Sequence, residues 1–584
     1  MLAGLWRNVA LDGNDFHAIL SNPTIDLRFH FLQFRVDTLE DFNLLHRAPH
    51  ERKRDEMKTE SIDKCWIRLH MDDNCIVALQ PLALGFSIEL GQKTVSLRKA
   101  IPAGHKIAIA PIAAGESVIK YGWPIGLSTG TIEPGDHVHD HNLRCEHKID
   151  YSDLASLTPA PLVSIHGRTF EGYVRGNGSV GTRNYIAIIS TVNCSASVSR
   201  FVAEHFTPYV LDAFPNIDGV VAFKHDSGCG MAYEGIKHRT LSKVLGGIAR
   251  HPNIAAYVLI GLGCEQNTLG HLLKTQKLVP LLLAGSPVSS KTGNLAQDAR
   301  EIPVLSIQDQ GGTRATVQRG VEMVTELLPI VNAMQRTTVS AEHLILATKC
   351  GGSDGYSGIT ANPALGVAAD RTVACGGTAI LSETTELYGA EQLFTRRAQS
   401  EAVAKKLLDR IEWWKKYAAG YGEEIDNNPS IGNKAGGLTT IVEKSLGAAS
   451  KGGSTALQAV YDYAEPIRTK GLVIMDSPGF DPACATGMVA SGANVMVFTT
   501  GRGSCFGCKP VPSIKVSTNT LLFERMPEDM DLDTGTVLQG ESIEQAGDRL
   551  FEAILATASG QKTKSELLGY GDDEFVPWSI GPTL

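Results

Sequence analysis

The 584 residues are 43% hydrophobic and 20% charged, an ordinary soluble-globular composition on a chain too long for one core, so roughly three or four domains are expected. A formal net charge of −9 excludes the basic surface that duplex nucleic acid demands, and no apolar run approaches the ~20 residues that span a bilayer. Eleven scattered cysteines and the lack of a basic-then-apolar leader point to reduced thiols in a cytoplasmic protein.

Residues 1–60 carry the charge run "HRAPHERKRDEMKTES" and read as an appended, partly disordered segment. Residues 61–150 alternate short β-rich runs with turns such as "IPAGHK", "IAAGES" and "IEPGDH", which predicts a small all-β domain. A connector rich in Pro and Ser, "SDLASLTPAPLVS", follows. Residues 165–345 then read as an α/β domain, with buried strands in "YIAIISTVNCS", "GVVAFKHDSGCGM" and "AYVLIGLGCEQN" and an amphipathic helix in "ATVQRGVEMVTELLPIVNAM". From "LILATKCGGSDG" a second α/β domain runs over 346–584, with strands at "GTAILSE", "GLVIMDSP" and "NVMVFTTG" and a long helical span, "TRRAQSEAVAKKLLDRIEWWKKYAAGYG". Both are expected to carry mainly parallel sheets.

Four thiols, Cys194, Cys229, Cys264 and Cys350, fall at or just past the ends of these strands. The carboxyl edge of a parallel sheet is where ligands bind, so the four are expected to meet around one metal, iron, zinc or an iron–sulfur cluster, unless they pack as small apolar residues. The same edges carry His225, Glu265, Ser353 and Asp354 as candidate acid–base and binding groups. In the β domain, "HVHDH" sets His137, His139 and His141 at period two. On a strand that puts three imidazoles on one face, a ligand set for iron, manganese or zinc, with Asp136 and Asp140 on the other; the alternative is a solvated edge strand. The loop "NNPSIGNKAGGL", with Asn433 and Lys434, and the basic turn "TGRGSCFGCKPVPSIKVSTNT", with Arg502, Lys509 and Lys515, are suited to an anion or polyol, or else are connectors. The pair Cys505 and Cys508 is a lone C-x-x-C and carries little weight.

The stretches "GDHVHDHNL", "VGTRNY", "GLGCEQN", "KCGGSDGYSGITANPALG", "SETTELYGAEQL", "NPSIGNKAGGL", "TGRGSCFGCKPVPSIKVSTNT" and "EFVPWSIG" together resemble the altronate and galactarate dehydratases, over some nine tenths of the chain. The resemblance implies an SAF-type β-clip domain before a large α/β body. It also implies dehydration of a hexonate or hexarate to a 2-keto-3-deoxy sugar acid with the help of a divalent ion, ferrous iron first and manganese second. "SETTELYGAEQL" and the histidine stretch look closer to the altronate branch; galactarate dehydration, or sugar-acid binding without turnover, are the competing expectations. For that chemistry His225, Glu265 and Asp354 are the expected acid–base groups, and Arg502, Lys509, Asn433, Lys434 and Ser353 the expected substrate contacts. The expected partner is a small sugar acid, with neither nucleic acid nor membrane; a homo-oligomer is left open.

Overall fold

The computed structural model describes residues 65–146, 151–278 and 303–581, so the extension assigned to residues 1–60 lies outside the described residues. Residues 65–146 fold as an all-β domain. Its four-stranded antiparallel sheet joins Trp66–Ile67, Cys75–Ala78, Lys106–Ala108 and His137–Val138, beside a three-stranded sheet and a two-stranded hairpin. The strands are short because Gly- and Pro-containing turns interrupt them every few residues. Ile76, Leu82, Ile88, Ile101 and Ile107 fill one of the cores they enclose.

Strand Thr169–Val174 opens the body and pairs antiparallel with Thr337–Ser340, bringing the start of the middle domain next to its end. Between them lies a parallel sheet in the order Gly219–Phe223, Tyr185–Ser190, Ile254–Gly261, Val304–Ser306. Tyr185–Ser190 and Ile254–Gly261 are buried at every position. Helices cover both faces, which is why these strands read as unbroken apolar runs rather than alternations. The helix expected over "ATVQRGVEMVTELLPIVNAM" runs over Thr313–Asn332.

The carboxyl-terminal domain is built on seven parallel strands in the order Leu457–Tyr461, Gly471–Met475, Thr378–Leu381, Ile345–Cys350, Val495–Thr500, Ser513–Ser517, Leu532–Asp533. Helix Asp481–Ala490 packs against helix Ile236–Ala249 of the middle domain, so Val244 and Leu245 share one core with Met488 and Val489. The long helical span does not run unbroken. It restarts at Ser400, whose hydroxyl accepts from the Val403 amide and caps helix Glu401–Ala419. No described helix is long and apolar enough to cross a membrane.

Candidate active site

The β domain docks on the carboxyl-terminal body through buried charge. Glu443 accepts from Lys106 at 2.9 Å and Lys120 at 2.8 Å, with all three side chains at most 1% exposed, and from the Thr439 hydroxyl at 2.6 Å. Burial works against the Glu443 carboxylate, but the two ammoniums outweigh it and hold its pKa well below the ordinary range. One carboxylate cannot offset two ammoniums equally: burial pulls the Lys106 pKa down, whereas Glu443 keeps that of Lys120 raised. Close approach of three loops completes the junction. The Gly355 amide donates to the Gly436 carbonyl at 2.7 Å, and a Cβ on Gly437, at φ +101°, would stand 2.2 Å from the Gly104 carbonyl oxygen. Only glycine accommodates both that dihedral and that contact.

This docking brings four imidazoles to the seam. His105 Nδ1 is 3.0 Å from His137 Nε2, His139 stacks on both rings with centroids 5.1 and 5.2 Å away, and the His137 and His141 centroids are 5.5 Å apart. The strand expected through "HVHDH" stops after Val138, because Asn142 accepts from the His139 amide and donates to the His137 carbonyl, turning the chain. Asp140 is consequently not on an opposite face: its carboxylate is 2.6 Å from His139 Nδ1. His139, Asp140 and His141 offer donor atoms all within 4.8 Å of one another. Burial lowers His105 to a pKa of about 4; burial and then its histidine neighbours lower His137 to about 3. Both are therefore neutral at neutral pH, the form that ligates a cation. Across the seam, His139 Nε2 and His105 Nε2 meet the carbonyls of Lys434 and Ala435 at 2.9 and 3.3 Å. His105 had no signal in the sequence beyond the turn "IPAGHK"; antiparallel pairing of Ile107 with His137 delivers it.

Ser353, Asp354, Asn433, Lys434 and Arg502 gather at this seam. Asn433 caps its own helix with Ser430 and donates to the Ser353 carbonyl at 2.8 Å. Arg502 is exposed, with its Cδ against Gly436, and its amide donates to Gly352. Asp354 is buried and receives hydrogen bonds from Thr518, Ser357 and the Tyr356 amide; burial raises its pKa against those donors. It fastens the 351–357 loop to the 501–519 segment. A small cavity of about 10 Å³, room for a single water-sized group, lies among Tyr121, Cys350, Ser353, Asp354, Glu443 and Lys444, and the buried Ser353 hydroxyl has no protein partner.

Cys350 and Lys444, which line that cavity, belong to a charge network that sequence reading does not reveal. Lys451 Nζ lies 2.8 Å from Cys350 Sγ and 2.6 Å from Glu383, which also pairs with Lys349; Lys444 pairs with Glu386 at 2.8 Å. Burial opposes the Glu383 carboxylate, yet Lys349 and Lys451 override it and hold the pKa at about 2. Burial and then Glu383 push the Cys350 thiol to about 11, so it is protonated at neutral pH. Glu383 also adopts left-handed φ +65°, a strain of about 1 kcal/mol for a side-chain-bearing residue.

The remaining candidates lie elsewhere. Lys509 pairs with Asp572 at 2.5 Å and donates to the Gly569 carbonyl, tying the basic turn to the carboxyl-terminal tail. Lys515 is buried and donates to the Phe506 carbonyl. His225 and Glu265 belong to the middle sheet. His225 Nε2 donates to the Ser190 carbonyl and its Nδ1 accepts from the Ser227 amide, so both ring nitrogens are engaged, and burial lowers its pKa to about 4. Glu265 accepts from the Thr191 hydroxyl and the Gly263 amide. The four strand-end cysteines divide between two sheets: Cys350 is buried in the seven-stranded one with carboxylates and lysines for neighbours, whereas Cys194, Cys229 and Cys264 are exposed at the edge of the four-stranded one.

A β domain docked on parallel α/β layers, with imidazoles and cationic groups meeting at the junction, defines a multidomain protein of mixed α/β class. The chain belongs to the D-galactarate/altronate dehydratase family. The family's SAF domain matches residues 64–146, its second domain residues 172–332 and its carboxyl-terminal domain residues 341–583. The chain is 34% identical to altronate dehydratase of Escherichia coli (strain K12), over 86% of this chain and 96% of that protein, and 34% identical to altronate dehydratase of Bacillus subtilis (strain 168), over 86% and 97%. It is 36% identical to galactarate dehydratase (L-threo-forming) of Escherichia coli, over 87% of this chain and 95% of that protein.

Proposed function

We propose that the protein is a cytoplasmic hydro-lyase that dehydrates a sugar acid, D-altronate first and galactarate second, to a 2-keto-3-deoxy sugar acid at the seam between the β domain and the carboxyl-terminal body. The observation that carries this reading is the meeting, in a chain of this family, of a histidine cluster whose His105 and His137 are neutral with the Arg502 rim and a small cavity lined by Lys444. The donor set suits a divalent ion, ferrous iron or manganese: His139, Asp140 and His141 within sharing distance, with His105 and His137 deprotonated beside them. Such an ion would supply positive charge where negative charge develops as the proton beside the carboxylate passes to a neutral imidazole of the seam.

The chain's own groups do the rest. Arg502 is placed to hold the substrate carboxylate in a two-point grip at the rim. The unpartnered Ser353 hydroxyl offers a hydrogen bond to a substrate oxygen. Lys444 lines the cavity as an ammonium, because Glu386 offsets its burial, and is placed to give a proton to the departing hydroxyl. Assaying keto-deoxy product from a panel of hexonates and hexarates tests the reading and separates altronate from galactarate. Arg502→Lys keeps the charge and loses the planar fork; it is expected to lower kcat/KM about ten-fold, or ~1.4 kcal/mol of transition-state stabilisation. Unchanged kinetics in a folded variant removes Arg502 from the site.

A further inference from the structure

Three of the four exposed cysteines, Cys194, Cys229 and Cys264, follow three adjacent strands at the carboxyl edge of the four-stranded sheet. Cysteine is among the residue types most often buried, so three exposed thiols on three adjacent strand ends call for a physical reason. The loops bearing them are stitched together. The Asn193 amide donates to the Ser227 carbonyl at 2.8 Å, and its side chain donates to the His225 carbonyl at 3.1 Å. The Gly228 carbonyl accepts from the amides of both Gln266 and Asn267. Each cysteine is thus one or two residues from a cross-link between loops. Gly228 permits this: its φ is +103°, and a Cβ there would lie 2.5 Å from the Thr191 carbonyl oxygen. Cys194 also lies in the turn that leads into helix Ala196–Glu204, whose amino end favours negative charge.

The trio does not meet the closeness that a single shared ion requires. Thiolates sharing one tetrahedral ion with bonds near 2.3 Å lie roughly 3.8 Å apart. Among the described residues, the groups whose donor atoms fall within 4.8 Å of one another do not include this trio. A cube of iron and sulfide holds its thiolates further apart, each on a different iron.

We infer that Cys194, Cys229 and Cys264 hold a four-iron, four-sulfide cluster, with the fourth iron free of protein sulfur and open to an oxygen donor. On binding, the three thiols each release a proton and each thiolate binds one iron. This site is separate from the histidine seam, and its tests do not depend on turnover. The intact chain, incubated without oxygen with equal parts ferrous and ferric iron and sulfide, a mixture that forms the 2+ cluster with no net redox change, is expected to retain about four irons and about four sulfides with a broad visible sulfide-to-iron absorption. Cys194→Ser, Cys229→Ser and Cys264→Ser are each expected to lose most of the sulfide and the colour while melting like the parent protein. Cys350→Ser and His139→Ala are expected to keep both. Iron bound without sulfide, no uptake by the parent protein, or full uptake by the triple serine variant would each overturn the inference.

Discussion

Replacing Glu443 by alanine is expected to destabilise the protein by about 3–5 kcal/mol, a larger effect than any single surface change. The carboxylate is the counter-charge of two lysines that are themselves at most 1% exposed, so its removal leaves Lys106 and Lys120 as buried ammoniums facing each other. It also removes the acceptor of the Thr439 hydroxyl and amide. Lys106 would keep only the Gly437 carbonyl at 2.7 Å. These contacts join the β domain to the body, so the variant is expected to release residues 65–146 early in limited proteolysis. Denaturant titration measures the loss; a midpoint within experimental error of the parent's would show that the domains are held by apolar contact alone.

The second large effect is expected on function. His139→Ala removes a nitrogen from the group it forms with Asp140 and His141, together with its contact to the Lys434 carbonyl. Loss of an outer-shell partner of a metal ligand costs roughly 10–100-fold in affinity or activity, and loss of a ligand itself is expected to exceed that. Calorimetric titration with manganese should show weakened binding alongside a kcat reduced by about 100-fold or more, with the melting temperature little changed because His139 is only partly buried. Full turnover with weakened ion binding would separate the histidines from catalysis.

What could be read in the sequence was what short range determines. Ile254–Gly261 and Val495–Thr500 are continuous apolar runs between turn signals, and a run of that kind covered on both faces has few other solutions than a parallel strand. The loops "SD" at 353–354 and "GNK" at 432–434 stand out in the sequence because glycine and small polar residues follow strand ends or precede helix caps, and the fold brings them together. What escaped depends on long-range pairing. His105 joins His137 across 32 residues through a strand register, and no local pattern marks it as part of "HVHDH". Lys451 and Glu383 are 68 positions apart, and each reads singly as a solvated charge; only the fold makes them a fully buried pair. Lys509 reads in the sequence as a cation open to an anionic ligand, and Asp572, 63 positions later, takes it. Each of the four cysteines ends a strand, which groups them in the sequence, but the strand of Cys350 belongs to the seven-stranded sheet.

The most direct test of a metal-assisted sugar-acid dehydratase with its site at the domain seam is turnover of D-altronate by the protein stripped of metal and then reloaded anaerobically with ferrous iron, run beside His139→Ala. The account predicts keto-deoxy product from the reloaded parent protein, little from the stripped protein, and little from His139→Ala at the same iron concentration. Product formed equally by all three, or by none of them from any hexonate or hexarate, would contradict it.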